Sequence, residues 1–141
     1  MPAEENKACF RRFIEEGPNK GNFGVFDELF DPSMANYLPG NAEPMRGVGG
    51  VKAVVTGFRA AFPDLHVTIE EIIAEGETVA ARVTARGTNT GELMGAAPSG
   101  RRAEWAVNHY CHFKDGKMVE DRVNFDQLGF LQQLGMMPGQ S

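Results

Sequence analysis

The sequence predicts an α+β domain in which helices pack on a curved antiparallel sheet and enclose one apolar pocket. Two observations favour this class: apolar residues recur at helical spacing up to Pro63, and they alternate with period two after it. At 141 residues the chain can bury one sizeable hydrophobic core. Helices followed by long strands are typical of an α+β domain. We therefore expect a single domain over residues 1–141, with a flexible tail from about 136 to 141.

Three helices are predicted in the first part of the chain. Residues 4–16 carry an apolar stripe and stop at Gly17-Pro18, and residues 23–30 form a shorter helix that stops before Asp31-Pro32. Residues 48–62 carry valine and phenylalanine at helical spacing and are closed by Pro63. The stretch around 37–44 is expected to be irregular, with one short strand and a loop.

Four strands and a last helix are predicted after Pro63. The strands cover residues 65–74, 78–88, 102–113 and 118–125, and the helix covers residues 127–134. Turns containing glycine separate most of these strands, and the Asp115-Gly116 pair is typical of a tight hairpin. Neighbouring strands are therefore expected to be antiparallel.

Charge and composition exclude several classes of partner. The net charge is −5 and no run of Lys or Arg occurs, so a nucleic-acid partner is not expected. The N-terminal segment is acidic and lacks the apolar core of a signal peptide, and no stretch of eighteen apolar residues occurs. We therefore expect no membrane partner and a cytoplasmic location. Cys9 and Cys111 lack metal or redox spacing and are expected to be free thiols.

Four short motifs follow one another along nearly the whole chain. They are Ala61-Phe62-Pro63-Asp64-Leu65, then Gly87-Thr88-Asn89-Thr90-Gly91-Glu92 with Gly95 and Pro98-Ser99-Gly100, then Asp115-Gly116-Lys117-Met118-Val119-Glu120, and finally Asp126 with Gln132-Gln133-Leu134-Gly135. Together they resemble the SnoaL-like polyketide cyclase family, also called ester cyclases. The resemblance implies the cone-shaped, cystatin-like fold of nuclear-transport-factor-two-like proteins, with a deep apolar pocket and often a homodimer formed through the sheet. It also implies an intramolecular aldol ring closure on a small hydrophobic carbonyl ligand, without metal or organic cofactor.

Asp126 is the first candidate for the acid/base group of this chemistry. Removing a proton α to an ester or ketone needs a positioned base in a dry pocket, and a carboxylate can serve there. Asp126 closes the last predicted strand, where the resemblance implies the acid/base aspartate. The alternative is structural, since Asp126 also precedes a predicted helix and Asp is a preferred N-cap residue.

The hairpin register decides which histidine accompanies Asp126. If Asp115-Gly116 is a two-residue turn, two faces alternate along the strands. The first face holds His109, Arg122, Asn124 and Asp126, with Trp105 opposite Asp126, and the second holds Asn108, Tyr110, His112 and Asp121. A single bulge would exchange the two histidines. His109 and His112 are therefore both candidate catalytic residues, and the resemblance implies a helper histidine at the spacing of His112.

Further residues are candidates for substrate binding. They are Trp105, Asn124, Arg122, Tyr110, Phe58, Phe62, Tyr37 and Arg59. Arg59 can orient a carbonyl group or cover apolar surface with its stem. Asn89 and Arg122 depart from the family pattern of histidine and an aromatic residue, which leaves a more polar pocket open. No metal site is expected, because residues three apart on a strand, such as His109 and His112, face opposite sides.

The leading functional hypothesis is a cofactor-independent enzyme that abstracts a proton from a hydrophobic carbonyl compound. One alternative is an isomerase or hydrolase, which would need a second carboxylate such as Asp64 or Asp121 in the pocket. Asp64 follows Pro63 and is expected to shape a turn. Another alternative is a non-catalytic small-molecule-binding dimeric domain, since one fold hosts many functions.

Overall fold

The computed structural model of the chain describes residues 2–136 and confirms the α+β class. The helices are α1 (Pro2–Glu16), α2 (Phe26–Leu29), α3 (Gly47–Ala61) and α4 (Gln127–Gln133), and a 3₁₀ turn covers Phe23–Val25. The strands are β1 (Phe30–Tyr37), β2 (Met45–Arg46), β3 (His66–Glu75), β4 (Thr78–Thr88), β5 (Arg102–Lys114) and β6 (Lys117–Phe125). Residues 137–141 of the predicted tail lie outside the described residues.

The six strands form one mixed sheet in the order β2-β1-β6-β5-β4-β3. The antiparallel pairing predicted for the four strands after Pro63 is confirmed. The sheet is mixed, not purely antiparallel, because β1 pairs with β6 in parallel. The predicted helix over 23–30 is also shorter than expected, because the chain turns into a strand at Phe30, just before Asp31-Pro32. Strand β1 then covers the edge of β6 that the hairpin leaves unpaired.

The β5–β6 hairpin contains the feature that positions the functional side chains. Its turn forms as predicted, with Lys114 paired with Lys117 and with positive φ at Asp115 and Gly116. The register then shifts between His112 and Phe113: Phe113 pairs with Met118 while His112 pairs with Glu120, so Val119 is an extra residue. Every residue of β6 after the bulge therefore faces the side opposite to the one that an unbroken register gives.

The face assignment that an unbroken register gives is consequently wrong, and the alternative, an exchange by a single bulge, is observed. Cys111 lies opposite Asp121 and His109 lies opposite Val123, which puts Asp121 on the same face as His109. That inner face packs against the helices. The residues that alternate with these along β5 and β6 face outward; they are Asn108, Tyr110, His112, Arg122 and Asn124.

Aromatic side chains build the core on either side of a central cavity. Phe10 and Phe13 of α1 pack edge-to-face with each other, and Phe13 contacts Phe30 of β1 in the same way. At the other end, Trp105 lies 4.5 Å from Phe130, ring centroid to ring centroid, and 5.1 Å from Phe62. These clusters seal two sides of the space between the helices and the sheet.

None of the helices within residues 2–136 combines the length and the apolar character that crossing a bilayer would require.

Candidate functional site

A cavity of about 110 Å³ lies between α1, α3 and the inner face of the sheet. Most of its lining is apolar, and includes Phe13, Ile14, Val55, Phe58, Trp105 and Val107. The polar residues of the lining are Asn36, His109 and Asp121. The cavity therefore presents three polar side chains to a ligand whose other contacts are apolar, a distribution that is typical of small-molecule sites.

His109 and Asp121 form a buried pair on neighbouring strands. Nδ1 of His109 lies 2.9 Å from Oδ2 and 3.2 Å from Oδ1 of Asp121, and Asp121 is 1% exposed. A carboxylate accepts hydrogen bonds, so this geometry suits an Nδ1–H donor on His109 and leaves Nε2 for contact with a ligand. The edge of the Phe10 ring packs 5.1 Å from the imidazole and restricts its rotation. The pair thus offers a proton acceptor in an apolar cavity.

Cys111 completes the hydrogen bonding of this carboxylate. Its thiol donates to Oδ1 of Asp121 over a sulfur-to-oxygen distance of 3.4 Å. Burial, and next the charge of Asp121, raise the pKa of the Cys111 thiol well above its usual range. The thiol therefore stays protonated at neutral pH and remains a donor.

Asn36 brings an amide to the same end of the cavity. It lies on β1 directly beside Asp121 of β6 in the parallel register and is 4% exposed. Its Oδ1 atom is buried and has no hydrogen-bond partner among residues 2–136. A buried polar atom without a partner is costly, so this oxygen can gain from a hydrogen bond with a bound ligand.

Asp126, the first sequence candidate, lies outside the cavity lining. It is exposed and serves as the N-cap of α4, where its Oδ1 accepts a 2.9 Å hydrogen bond from the backbone amide of Gly129. The geometry is thus that of the alternative considered from the sequence, a helix cap.

His112 is not brought together with the cavity residues. It lies on the outer face of the sheet, where Nδ1 is 3.3 Å from Thr78 Oγ1 and Nε2 is 3.8 Å from a carboxylate oxygen of Glu120. Tyr110, Arg122 and Asn124 share that outer face. None of these four predicted residues lines the cavity.

Tyr37 and Arg122 contact each other instead of a cavity ligand. The Arg122 guanidinium lies 4.1 Å from the centre of the Tyr37 ring, and its Nε donates to Glu120. Arg122 therefore does not make the cavity more polar, although it departs from the family pattern.

The remaining predicted binding residues divide between lining and support. Phe58 and Trp105 line the cavity, whereas Phe62 is fully buried behind Trp105 and is not part of the lining. Arg59 donates a 2.7 Å hydrogen bond to the carbonyl of Pro18, a lining residue. Arg59 thus fixes the loop beside the cavity.

Two polar residues of the motifs have structural contacts. Asp64 accepts a 2.7 Å hydrogen bond from the backbone amide of Thr88, and this bond holds the pKa of the Asp64 carboxyl below its usual value. Asn89 is fully buried, donates to the carbonyls of Ala61 and Gly91, and accepts from the Ser99 amide. Asp64 therefore shapes a turn, as expected, and Asn89 anchors the connection between β4 and β5.

Asn36 was not predicted from the sequence, and Asp121 was predicted only as a possible second carboxylate of a hydrolase or isomerase. One signal could have placed Asp121 correctly: Met118 and Val119 are two successive apolar residues, which breaks the alternation at the point of the bulge. Asn36 gave no comparable signal, because the stretch around it was expected to be irregular.

The residues that could hold a metal are His109, Cys111 and Asp121, whose ligand atoms lie within 4.8 Å of one another. A thiolate is the form of cysteine that binds metals, and the raised pKa of Cys111 opposes it. The three groups also satisfy one another by hydrogen bonds. The expectation that the chain needs no metal or cofactor stays a prediction.

Comparisons with known proteins agree with this fold. The model of the SnoaL-like polyketide cyclase family matches residues 8–134. The chain is 32% identical over 136 residues to the aklanonic acid methyl ester cyclase AcmA of Streptomyces galilaeus, covering 93% of this chain and 91% of that protein.

Two solved structures are similar throughout. IdmH, a candidate polyketide cyclase from Streptomyces antibioticus, matches with a TM-score of 0.80 and 32% identity over 92% of this chain and 98% of that one. A candidate SnoaL-like polyketide cyclase from Jannaschia sp. CCS1 shares the fold with a TM-score of 0.88 and 23% identity over 96% and 95% of the two chains. This chain belongs to the SnoaL-like polyketide cyclase family.

Proposed function

We propose that this protein closes a ring in an aromatic polyketide methyl ester by an intramolecular aldol reaction, with His109 and Asp121 as its acid/base pair. The observation that carries the proposal is the buried His109–Asp121 hydrogen bond at the polar end of an otherwise apolar cavity. The similarity to a cyclase named for aklanonic acid methyl ester supports this class of substrate.

The reaction needs one proton to leave carbon and return on oxygen. His109 Nε2 takes the proton from the carbon next to the ester, and the resulting enolate carbon forms a bond to a ketone carbon of the same molecule. The ketone oxygen becomes an alkoxide, and His109 returns the proton to it. No atom is lost and no electron is transferred to another molecule, so an acid/base pair suffices.

Asp121 has the supporting role in this scheme. Its carboxylate holds the proton on Nδ1, which leaves Nε2 unprotonated, and it stabilises the imidazolium that forms when His109 takes the substrate proton. Because Asp121 is almost completely buried, this attraction acts in a medium of low dielectric constant.

Asn36 and the apolar lining account for substrate orientation. The amide oxygen of Asn36, which has no hydrogen-bond partner within residues 2–136, can accept a hydrogen bond from a hydroxyl of the substrate near the reacting carbon. Phe58 and Trp105 offer flat surfaces for an aromatic ring system. A small hydrophobic carbonyl compound with one polar edge fits this division.

The alternative enzyme classes considered from the sequence find less support. An isomerase or hydrolase with two carboxylates would need a partner for Asp121 in the cavity. Asp64 is engaged with the Thr88 amide and is not part of the lining. A cyclase, which needs one acid/base pair, fits these residues better.

The test is ring closure of aklanonic acid methyl ester, followed by chromatography, in wild type and in His109→Gln and Asp121→Asn. We expect both variants to lose about 10²- to 10⁴-fold in kcat, the usual contribution of general acid/base catalysis. His112→Gln is the matched control, because it removes a histidine from the outer face of the same strand, and it should retain activity. Binding of the ester without turnover by wild type would favour the non-catalytic binding domain instead.

We also propose that two copies of the chain pair through the outer face of the sheet. Tyr110 is 49% exposed and Ile73 is 65% exposed on this face, and both are large hydrophobic residues. Arg82 lies 3.7 Å from Glu71 beside them, so the face carries both charges and can be complementary to itself about a two-fold axis.

Sedimentation equilibrium of Tyr110→Asp tests this pairing. We expect a dimer for wild type and a monomer for the variant. Leu128→Asp is the control, since Leu128 is 55% exposed on α4, away from the sheet face, and this variant should remain dimeric. A monomeric wild type would contradict the proposal. The cytoplasmic location expected from the sequence stays a prediction.

A further inference from the structure

We infer that Cys111 is a positioning residue: its thiol holds the Asp121 carboxylate in the orientation that presents Oδ2 to His109. The inference rests on the proposed function, because it gives Cys111 a part in the chemistry of the His109–Asp121 pair. Cys111 itself is fully buried and is not part of the cavity lining, so it acts through Asp121.

The register brings the thiol and the carboxylate together. Cys111 lies directly opposite Asp121 across the β5–β6 pair, and the bulge at Val119 brings Asp121 to the inner face that Cys111 already occupies. The thiol donates to Oδ1 at 3.4 Å, while His109 Nδ1 has its shortest contact, 2.9 Å, with Oδ2. Oδ2 therefore faces His109, whereas Oδ1 lies between the thiol and a longer, 3.2 Å contact with His109 Nδ1.

A buried carboxylate needs this second donor for two reasons. The terminal torsion of an aspartate has no sharp staggered minima, so its orientation is set by its partners. Asp121 is also 1% exposed, and an ionised group without hydrogen bonds is costly at that depth. Within the part of the chain that the structure describes, His109 and Cys111 are the side chains that bond to Asp121.

The thiol remains a donor over the whole neutral pH range. Burial raises its pKa well above the usual value, and the negative charge of Asp121 raises it further. The thiol of Cys111 can therefore donate to Asp121 at neutral pH.

Two substitutions separate the donor role of Cys111 from its role as a buried filler. Serine keeps a donor but puts a hydroxyl into an apolar core, whereas valine keeps apolar bulk but has no donor. If Cys111 only fills space, valine should serve better than serine in both stability and activity. If the thiol positions Asp121, the two properties should separate, and serine should be the more active variant although it is the less stable.

The experiment compares Cys111→Ser, Cys111→Val and Cys111→Ala in urea unfolding and in the ring-closure assay. We expect Cys111→Ser to stay within about three-fold of wild-type kcat, and the other two variants to lose about ten-fold in kcat with little change in KM, as expected for loss of one hydrogen bond. Cys9→Ser is the matched control, because the Cys9 thiol donates to the Leu29 carbonyl and not to the pair. Equal kcat for the valine variant and wild type would overturn the inference.

Nitrogen-15 NMR of His109 supplies a readout that needs no turnover. We expect the Nδ1–H resonance to stay sharp and slow to exchange in wild type and Cys111→Ser, and to broaden in Cys111→Val and Cys111→Ala. An unchanged resonance in the valine variant would contradict the positioning role. Full activity of His109→Gln and Asp121→Asn would instead refute the proposed function, whatever the NMR spectra of the Cys111 variants show, so the two failures are distinguishable.

Discussion

Replacing Asp126 should separate the stability of the protein from its chemistry. Asp126 caps α4 through one 2.9 Å hydrogen bond from Gly129, and it lies outside the cavity lining. Asp126→Ala removes the cap, whereas Asp126→Ser removes the carboxylate and keeps a side chain that caps helices well. We expect the alanine variant to be destabilised and both variants to stay active.

The magnitude follows from the one hydrogen bond that is lost. Loss of an N-cap costs about 1 kcal/mol in the free energy of unfolding, and for a chain of this length that lowers Tm by about 4 °C. The serine variant should lose only a few tenths of a kcal/mol. Helix α4 also carries Phe130, which is 2% exposed and packs on Trp105, so disorder of the first turn should reach that contact.

Urea unfolding followed by tryptophan fluorescence measures this loss directly. Trp105 is the single tryptophan of the chain and lies 4.5 Å from the ring of Phe130, so its emission reports the packing of α4. The ring-closure assay on the same preparations supplies kcat. An alanine variant as stable as wild type would refute the capping role. A serine variant that is stable but inactive would restore Asp126 as a catalytic residue.

Three further perturbations test other contacts. Asn89→Ala should cost roughly 3 kcal/mol in urea unfolding, because Asn89 is fully buried and its side chain makes three hydrogen bonds. Asn124→Ala on the exposed outer face should change stability by less than about 0.5 kcal/mol, and equal losses would contradict this. Wild type should be more stable than Asp64→Asn at neutral pH, and this difference should disappear as the pH falls below about 4. The reason is that a carboxyl whose pKa is lowered by folding stabilises the protein only while it is ionised. A stability difference that does not change down to pH 2 would contradict this. Burial raises the pKa of Cys9 to about 11 and that of Cys111 well above its usual value. Both thiols should therefore react slowly with a disulfide reagent at pH 7 in the folded protein and rapidly in urea. Rapid reaction of Cys111 without urea would argue against its burial.

Much of the fold could be predicted because the hydrophobic periods are strong. The helix predicted over 48–62 is observed at 47–61, and the strand predicted over 78–88 has the same bounds in the structure. Strand β1 could not be predicted, because its partner β6 is about ninety residues away along the chain and nothing local encodes that parallel pairing. Local patterns predict elements well, but they do not predict which distant strand completes an edge.

The site could be predicted only in part, because a single extra residue sets it. Strand side chains alternate, so the bulge at Val119 exchanges the inner and outer residues of β6 relative to those of β5. His109, Trp105 and Phe58 were predicted and do line the cavity. An unbroken hairpin register puts Asp121 on the face of His112 and apart from His109, and the bulge reverses this. The burial of Asp121, which the structure shows and the sequence does not, identifies it as the carboxylate of the cavity.

Hydrogen–deuterium exchange at the carbon next to the ester is the most direct test of the His109–Asp121 pair as the acid/base group. Proton NMR in deuterated buffer would follow loss of the α-proton signal of the methyl ester with wild type, Asp121→Asn and Asp126→Ser. We expect wild type and Asp126→Ser to exchange at similar rates, and Asp121→Asn to exchange at least about 10²-fold more slowly. Unchanged exchange in Asp121→Asn together with lost exchange in Asp126→Ser would contradict the assignment.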